Sequence, residues 1–401
     1  MKILSLGFDH TIAQVDADVV GDSRSRHLAY TDFLRHAYPG SVLHILAHAP
    51  TSSKRENVSE RGLTVQTIPS NRSMFAFHAY RIGQRLLRDS TFDLVMTQTP
   101  FDDGYVGLRL ARQAGIPCLV QMHSSFIDNR AWIAEKPFIY HMFNALGKRV
   151  LRQADLVRVV SHGEKARLAD ILPAVYEKTI VLTPWISADR FSRENDDDEM
   201  GDAVLIQEGL RGTPYILFAG RLVYQKELPV LLDAFKLVAV KTQDAVLAIA
   251  GEGPLRAALE TQARGLGIDA RLRWLGNVSQ PALRTLYENA ACLALPSCHE
   301  GYGRVIVEAN LSGTACIVTP FISAQELVQD EVTGFIIPFG DRHALADRLT
   351  RLLENPTTAR TMGAAARDAM LAMLPDEETY LASMTALWAK AAELPASTQV
   401  K

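Results

Sequence analysis

Residues 245–254 read Ala245-Val246-Leu247-Ala248-Ile249-Ala250-Gly251-Glu252-Gly253-Pro254, an unbroken apolar run that ends in a glycine-rich turn. A strand that is apolar at consecutive positions must be buried on both faces, which is typical of parallel sheets covered by helices on each side. Helical patterns at 228–240 and 254–266 flank this strand, and both are long enough to cross between parallel strands. The stretch therefore predicts a doubly wound α/β fold.

The same alternation of short apolar runs and longer helical patterns extends along the chain, and 401 residues are too many for one ordinary domain. We expect two Rossmann-like domains that face each other across a cleft, because ligands of doubly wound sheets bind beyond the carboxyl ends of the strands. The predicted strands are 2–7, 42–47, 64–68, 93–97, 117–122, 156–160, 179–182, 215–219, 245–250, 271–275, 291–296, 315–318 and 335–337.

A change in composition marks the join between the two domains. Residues 192–202 are mostly acidic and have little to bury, so the boundary is predicted within 186–212. This assigns 1–190 to an N-terminal domain and 191–376 to a C-terminal domain. Apolar residues recur at helical spacing in the final segment, 377–401, which predicts an amphipathic helix that packs back on the N-terminal domain.

The composition is that of a globular protein, with 48% hydrophobic and 22% charged residues. The formal net charge of −3 argues against a general affinity for nucleic acid. No apolar run approaches about 18 residues, so no membrane-spanning helix is expected. Four cysteines lie in or beside apolar runs without metal-ligand spacing, which predicts buried free thiols in a reducing, cytoplasmic compartment: Cys118, Cys292, Cys298 and Cys316.

Two carboxylates flank the stretch Glu300-Gly301-Tyr302-Gly303-Arg304-Val305-Ile306-Val307-Glu308. Glu300 lies in a predicted loop and Glu308 within a predicted helix. The two glycines between them expose backbone N–H groups at the helix start, where the helix dipole favours anions. Because carboxylates accept hydrogen bonds from hydroxyls, the segment fits a sugar nucleotide. A helix cap beside an unrelated surface glutamate is the alternative.

Two cations, Arg221 and Lys226, follow the predicted strand 215–219. An arginine can bind a diphosphate bidentately, and a lysine supplies a compact charge, so a strand end is a suitable place for both. Two unrelated surface cations are the alternative. The later turn Gly251-Glu252-Gly253 is not a dinucleotide fingerprint, because Arg256 stands where the third glycine would be.

These motifs occur in the order of one known family. They are Phe218-Ala219-Gly220-Arg221-Leu222 with Lys226, Gly251-Glu252-Gly253-Pro254, Leu295-Pro296-Ser297 with Glu300-Gly301-Tyr302-Gly303 and Glu308-Ala309, and Thr333-Gly334-Phe335. Together they resemble the nucleotide-sugar half of the retaining GT-B glycosyltransferases of family 4, most strongly over 215–350. The resemblance implies that the C-terminal domain binds a nucleoside diphosphate sugar.

The resemblance also implies roles for individual residues. The two cations would bind the donor diphosphate, Glu300 would hold hydroxyls of the donor sugar, and Glu308 would accept hydrogen bonds from the ribose. The base would lie near Asn277 and Val278. The implied catalytic set is His123, Arg221, Lys226 and Glu300. The implied donor-binding set is Gly220, Gly251, Gly253, Asn277, Val278, Gly301, Tyr302, Gly303 and Glu308.

The chain departs from the family pattern at two positions in this half. Glu227 stands where the family usually has glycine, which constrains the loop and adds a negative charge near the diphosphate. Arg304 stands where smaller or neutral residues are common. Its side chain would either add a phosphate contact or point to solvent.

The first half resembles the family more weakly. His123 follows the predicted strand 117–122 and looks like the family's cleft histidine, which would lie against the donor sugar; a surface or core histidine is the alternative. Ser161 ends another strand and more simply caps a helix. The family's glycine pair after the first strand is missing. A basic cluster follows instead, which suits an acceptor phosphate or a solvated helix start: Arg24, Arg26 and His27.

Residues 73–88 mix aromatic and aliphatic residues with three arginines at helical spacing, Arg81, Arg85 and Arg88. Basic amphipathic helices can lie on anionic membranes, so peripheral contact at the inner membrane face is one interpretation. An ordinary helix that packs its apolar side on the sheet is the other.

The reaction implied by the resemblance is retaining transfer of a sugar to a hydroxyl acceptor, either a lipid-linked or a polysaccharide precursor. A sugar-nucleotide epimerase of the same architecture and a silent binding module are the alternatives. No cofactor or metal is expected, because cations and helix N–H groups can stabilise the leaving diphosphate. Two metal-like DxD stretches are interpreted as solvated charge: Asp16-Ala17-Asp18 and Asp196-Asp197-Asp198.

Overall fold

A computed structural model describes residues 1–13, 23–191 and 198–396. The chain forms two compact units. Unit 1 comprises Met1–Thr183 and Asp376–Lys401, and unit 2 comprises Pro184–Pro375. The division falls at 183/184, whereas the sequence placed it at 190/191. The stretch Asp16-Ala17-Asp18 and most of the acidic stretch 192–202 lie outside the described residues.

Unit 1 is built on an eight-stranded sheet. The strand order is β3-β4-β2-β1-β5-β6-β7-β8, and every pair is parallel except β3 with β4. The order reverses between β1 and β5, so the connecting helices cover both faces. The strands are β1 (Lys2–Gly7), β2 (Val42–Ala49), β3 (Asn57–Glu60), β4 (Leu63–Pro69), β5 (Leu94–Thr97), β6 (Cys118–Met122), β7 (Leu156–Val159) and β8 (Thr179–Val181).

The helices of unit 1 include one that comes from the end of the chain. They are α1 (Ser23–Ala37), α2 (Arg72–Asp89), α3 (Asp102–Ala114), α4 (Arg130–Glu135), α5 (Pro137–Gln153), α6 (His162–Ile171) and α15 (Glu377–Ala392). The terminal helix α15 packs against α1, where Tyr380 and Trp388 are buried against the ring of Tyr30. On another part of the unit, α3 packs against both α2 and α5.

Unit 2 has a six-stranded parallel sheet of order β11-β10-β9-β12-β13-β14. Its strands are β9 (Tyr215–Ala219), β10 (Val246–Ala250), β11 (Leu272–Gly276), β12 (Cys292–Leu295), β13 (Cys316–Val318) and β14 (Gly334–Ile336). Its helices are α7 (Asp198–Gln207), α8 (Leu228–Lys241), α9 (Arg256–Leu266), α10 (Gln280–Asn289), α11 (Arg304–Leu311), α12 (Ala324–Leu327), α13 (Arg342–Glu354) and α14 (Pro356–Met373).

The core of each unit follows from strands that are apolar on both faces. Every residue of β9, β10 and β12 is buried, as expected for central strands with helices on each side. Burying apolar surface contributes roughly 25 cal/mol per Å², so these strands supply much of the driving force for folding. The predicted doubly wound α/β fold is confirmed in both units.

The structure adds one strand that the sequence did not predict and corrects one cysteine. The strand β3 carries the polar residues Asn57-Val58-Ser59-Glu60 at the sheet edge, where it pairs antiparallel with β4. Cys298 is half-buried rather than buried, while the other three thiols are buried. Within the described residues, the helices are too short or too polar to cross a membrane.

Candidate active site

The strand order of unit 2 reverses between β9 and β12, and this reversal positions the candidate site. The chain leaves β9 outward to β10 and β11, then returns to β12 on the other side. Ligands of such sheets bind at this switch point, beyond the carboxyl ends of the strands. Arg221 and Lys226 follow β9, and Glu300 follows β12, so the fold brings the three predicted residues to one edge of the sheet.

The Lys226 ammonium donates to Glu300 Oε1 at 2.5 Å, although the two residues are far apart in sequence. Glu300 Oε1 also accepts from Ser297 Oγ at 2.6 Å. Both charged residues are buried, at 8% and 7% exposure. A buried charge is costly unless it is paired and hydrogen-bonded, so these contacts hold the lysine and the carboxylate in place at the strand ends.

Arg221 differs from Lys226 in its surroundings. Its side chain is exposed, and no residue in 1–13, 23–191 or 198–396 forms a hydrogen bond or ion pair with it. An arginine without a protein partner keeps its donors for an anion. The strand end therefore offers one cation already held by a carboxylate and one cation open to a ligand.

The helix α11 begins beside this pair. Its N-cap is Gly303, which has a left-handed backbone with φ of 89° and provides no capping side chain. The first N–H groups of a helix lack partners within the helix and attract anions. Tyr302 is buried, and its carbonyl oxygen accepts from Ser323 Oγ at 3.0 Å, which holds the turn from Gly301 to Gly303 in place.

Glu308, on α11, is also buried and bonded. Its Oε2 accepts from the Tyr287 hydroxyl at 3.3 Å, and its Oε1 lies 3.9 Å from the Arg304 guanidinium. The pKa of Tyr287 is raised well above its ordinary value, mainly by burial and next by the negative charge of Glu308. Tyr287 therefore remains a donor to the carboxylate. Arg304 turns toward Glu308, an arrangement that neither sequence-based alternative included.

Tyr287 and Ser297 are contacts that the sequence did not reveal. Tyr287 lies on α10 at a spacing typical of a core residue, and it is fully buried. Ser297 had a place in the Leu295-Pro296-Ser297 motif, but no role. Only the tertiary structure shows that each hydroxyl reaches one of the two glutamates.

The glycines after β10 have a packing role in unit 2. A Cβ at Gly251 would lie 2.0 Å from the Gly220 carbonyl oxygen, and a Cβ at Gly253 would lie 2.4 Å from the Leu222 carbonyl oxygen. Backbone hydrogen bonds join the same loops, from the Gly220 N–H to Ala250 and from the Leu222 N–H to Glu252. The absence of a side chain at Gly251 and Gly253 thus lets the loop after β10 pack directly against the backbone of the loop that carries Arg221.

The predicted base-contacting residues lie after the edge strand β11. Asn277 is exposed and Val278 is half-buried. The carboxyl ends of β12, β9, β10 and β11 succeed one another along the sheet, so this position is at the far end of the same edge. A ligand that contacts both Glu300 and Asn277 would therefore extend along this edge, across the ends of β9 and β10.

In unit 1, the predicted His123 lies at the carboxyl end of β6. Its Nε2 bonds to Gln98 Oε1 at 2.8 Å. A Cβ at Gly7 would lie 2.6 Å from the Gln98 side chain, so the glycine that ends β1 leaves space for Gln98. Desolvation by surrounding protein, with the positive charges of Arg158, Arg26 and His27, lowers the pKa of His123. His123 as a residue is exposed to solvent, which weakens this lowering of its pKa without reversing it.

The basic cluster of α1 is only partly open to a ligand. Arg24 donates to the Ile12 carbonyl oxygen at 2.9 Å and to Glu60 at 2.6 Å, and its side chain is 14% exposed. This carboxylate partner disagrees with an acceptor-phosphate role for Arg24. His27 Nδ1 bonds to the Ser23 carbonyl oxygen at 2.6 Å. Arg26, on the same helix, is close enough to lower the pKa of His123.

Ser161 is the N-cap of α6, where its side chain accepts from the Glu164 N–H at 3.1 Å. The capping interpretation of this serine is confirmed. Among the described residues, no group of three or more His, Cys, Asp and Glu side chains is arranged to hold a metal ion.

Comparison with known proteins places both halves of the chain. The profile of Glycosyltransferase Family 4 matches residues 40–190, and that of glycosyl transferases group 1 matches residues 206–369. The alpha-monoglucosyldiacylglycerol synthase of Streptococcus pneumoniae is 26% identical over 286 residues, 70% of this chain and 64% of that protein. A D-inositol 3-phosphate glycosyltransferase of Streptomyces scabiei is 28% identical over 316 residues, 76% of this chain and 70% of that protein.

An uncharacterized glycosyltransferase of Methanocaldococcus jannaschii is 33% identical, but only over 140 residues, 35% of this chain and 36% of that protein. The matched segments thus span between 36% and 70% of the length of these three relatives. Among solved structures, sucrose-phosphate synthase from Thermosynechococcus elongatus has a TM-score of 0.80 at 21% identity, over 97% of this chain and 99% of that chain. Anabaena HepE in complex with UDP-glucose has a TM-score of 0.72 at 17% identity, over 97% and 99%. Both structures share the fold.

Proposed function

Because the chain belongs to the GT-B glycosyltransferases, we propose that it transfers a sugar from a nucleoside diphosphate sugar to a hydroxyl acceptor, with retention of the anomeric configuration. The observation that carries this proposal is the Lys226–Glu300 pair at the switch point of unit 2, beside the start of α11. The arrangement supplies a cation for phosphate and a carboxylate for sugar hydroxyls within one hydrogen bond of each other.

In the proposed reaction, the acceptor oxygen attacks the anomeric carbon from the side of the leaving group, and the bond from that carbon to the diphosphate oxygen breaks. The acceptor proton passes to the departing phosphate oxygen. Positive charge develops on the sugar and negative charge on the diphosphate. Groups that are already oriented toward developing charge lower the barrier, and Arg221, Lys226 and the N–H groups at Gly303 would serve the diphosphate.

Donor binding would change the partner of Lys226. The ammonium now bonds to Glu300, and a diphosphate would compete for it while sugar hydroxyls donate to the carboxylate. Glu308 would accept from the ribose with its position set by Tyr287. His123 would orient the donor sugar as an uncharged ring, because its lowered pKa keeps it neutral near pH 7.

We propose that no cofactor is used and that the protein cations replace a metal ion. Transfer activity should then persist in EDTA at the rate measured before chelation. A loss of transfer that added Mg²⁺ or Mn²⁺ restores would contradict this part of the proposal.

The proposed acceptor is a lipid-linked or polysaccharide precursor in cell-surface glycan synthesis, used on the cytoplasmic side of a membrane. The support is the activity for which two relatives are named, an alpha-monoglucosyldiacylglycerol synthase and a phosphatidylinositol monomannoside mannosyltransferase. Residues 73–88, for which peripheral membrane contact was predicted, lie within α2, which buries Phe75, Ala79 and Gly83 and exposes the three arginines. This contact remains part of the proposal.

The decisive experiment is a thermal-shift panel of UDP-, GDP- and ADP-sugars, followed by product analysis with the sugar that stabilises the protein most. We expect one nucleotide class to raise the melting temperature, and transfer to require an acceptor. Conversion of the nucleotide sugar without an acceptor would identify an epimerase instead. Binding without turnover, with candidate acceptors that include diacylglycerol and D-inositol 3-phosphate, would indicate a binding module.

The Glu300→Gln variant separates binding from chemistry. We expect kcat to fall roughly 10²- to 10³-fold, as for the loss of one oriented polar group, while the nucleoside diphosphate alone still stabilises the protein. Glu326→Gln is a matched control, because that glutamate lies on α12 in the same unit. Undiminished transfer by Glu300→Gln would overturn the sugar-holding role.

A further inference from the structure

The exposed apolar side chains of unit 1 are concentrated on three neighbouring helices. The two most exposed are Phe138 at 81% and Met142 at 62%, both at the start of α5, where Ile139 is 47% exposed. Phe77 on α2 and Tyr105 on α3 are 52% and 42% exposed. A single exposed apolar residue needs no explanation, but a contiguous group rimmed by polar residues marks an interaction surface.

The topology places these residues at one end of the helical layer. The helices α2 and α3 each follow a strand of the parallel sheet, and α5 leads back to the start of β7, so all three begin near the carboxyl edge. The exposed residues occupy the first turns of each helix, and α3 packs against both α2 and α5. They therefore form one surface, which we name the apolar edge: Met74, Phe77, Tyr105, Phe138, Ile139 and Met142.

The first turns of α5 pack against a cluster of aromatic side chains. Tyr140 stacks on Trp132 with ring centroids 4.3 Å apart, and Trp132 stacks on Phe101 at 5.3 Å. Phe126 and Phe143 complete this group. The inward side of the turn is thus fully used for packing, and its outward side still presents large apolar side chains to water. Folding of unit 1 alone gives no reason for that exposure.

The three helices that carry the apolar edge have an excess of cationic side chains. The helices α2, α3 and α5 carry nine arginines and lysines against three aspartates and no glutamate. Within the described parts of the chain, Arg81, Arg85, Arg130 and Lys136 are exposed and have no ion-pair partner. Arg109 lies over the rings of Tyr80 and Tyr105. Unpaired cations beside exposed apolar side chains complement an anionic lipid surface.

We infer that the apolar edge docks unit 1 onto an anionic lipid bilayer. Phe138, Ile139 and Met142 enter the boundary between headgroups and acyl chains, while Arg130, Lys136 and Arg81 pair with lipid phosphates. The sequence pointed to 73–88 alone for membrane contact, whereas the structure places the most exposed apolar side chains on α5. This inference rests on the membrane contact included in the proposed function and assigns it to a surface, while its test does not require glycosyl transfer.

The test is co-sedimentation of the full chain with vesicles of phosphatidylcholine alone and with vesicles that contain about 30% phosphatidylglycerol. We expect the protein to bind the anionic vesicles and to bind the neutral vesicles far less. The double variant Phe138→Ser, Met142→Ser should bind anionic vesicles at least about tenfold more weakly, because it removes the most exposed apolar area. The double variant Arg130→Glu, Lys136→Glu should lose the preference for anionic lipid.

The matched control is Val240→Ser, which removes an apolar side chain of 73% exposure from α8 in unit 2. We expect its vesicle binding to equal that of the wild type. Equal binding by the wild type and the Phe138→Ser, Met142→Ser variant would overturn the inference, and so would no binding by the wild type. A dimer in lipid-free solution that this variant abolishes would also overturn it, since the occupant would then be a second copy.

The same samples separate this inference from the proposed function. Nucleotide-sugar thermal shift reports on unit 2 and does not require lipid. A variant that loses vesicle binding but keeps its nucleotide shift supports docking through unit 1. If the Phe138→Ser, Met142→Ser variant loses both vesicle binding and the nucleotide shift, it has a folding defect. The less disruptive Phe138→Tyr variant is then tested. We expect it to bind vesicles with intermediate strength, and unchanged binding would contradict the inference.

Discussion

Glu227 is a glutamate in a left-handed backbone conformation, with φ of 50° and ψ of 36°. For a residue with a Cβ this conformation costs roughly 1–2 kcal/mol, which glycine avoids. The position is the N-cap of α8, directly after Lys226, and its geometry explains why the family usually has glycine there. Burial raises the pKa of Glu227, while a side-chain hydrogen bond with Cys298 opposes this rise.

This strain predicts different outcomes for two variants that both remove the carboxylate. Glu227→Gly should be more stable than Glu227→Ala by about 1 kcal/mol, because only glycine relieves the left-handed backbone. Urea denaturation of the two variants measures the difference directly, and each loses the same contact to Cys298. Equal stability would show that the loop rearranges when the glutamate is removed.

Tyr287 predicts a second effect at the scale of one residue. Tyr287→Phe removes the hydroxyl that donates to Glu308, so the carboxylate is held less firmly for the ribose. A hydrogen bond to a charged group contributes about 1.5 kcal/mol, which corresponds to roughly a tenfold rise in KM for the donor, with kcat unchanged. Steady-state kinetics at saturating acceptor measure this separation.

Tyr215→Phe is the matched control for Tyr287→Phe. Tyr215 is a fully buried tyrosine in the same unit, and its hydroxyl donates to the Leu286 carbonyl oxygen at 2.6 Å. Its loss should lower stability without changing KM for the donor. If both variants raise KM equally, the effect of Tyr287 comes from the core of the unit and not from Glu308.

At the scale of the element, central strands could be predicted from the sequence and the edge strand could not. Strands such as β10 are apolar at every position because both faces are covered, and this pattern is visible without a structure. The edge strand β3 is held by backbone hydrogen bonds to β4, and its exposed side chains carry no apolar signal. Pairing at a sheet edge depends on the partner strand, which local sequence does not reveal.

In the candidate site, too, some contacts could be predicted from the sequence and others could not. Arg221 and Glu300 were predictable because a parallel strand delivers whatever follows it to the carboxyl edge. The bond from Tyr287 to Glu308 depends on how α10 packs beside α11, and the role of Gly253 depends on how closely the loops approach. Such contacts are set by tertiary packing and leave no distinct spacing in the chain.

The terminal helix α15 provides the prediction at this scale. Trp388 is 2% exposed and packs edge-on against Tyr30, while its Nε1 has no hydrogen-bond partner in the described structure. Trp388→Ala should destabilise unit 1 by about 3–5 kcal/mol, as expected for a large buried side chain. Trp388→Phe should cost clearly less, because it keeps much of the packing and removes an unpaired donor.

Chemical denaturation followed by circular dichroism measures both Trp388 variants. Trp388→Ala should lose stability while the nucleotide shift of the remaining folded protein persists, because α15 belongs to unit 1. Equal losses for Ala and Phe would mean that the indole N–H finds a partner and that its loss dominates.

For the whole molecule, the division into two units predicts where ligand protection appears. Unit 1 is assembled from both ends of the chain, whereas unit 2 is one continuous segment that contains every predicted donor-binding residue. A ligand stabilises the segments that it contacts, and at a hundredfold excess over Kd the gain is about 2.7 kcal/mol, or roughly a hundredfold slowing of amide exchange. Hydrogen exchange of the full chain with the best nucleoside diphosphate should therefore slow at 219–227 and 297–308. Exchange in α15 should stay unchanged. Slowing confined to unit 1 would contradict the prediction that the nucleotide binds to unit 2.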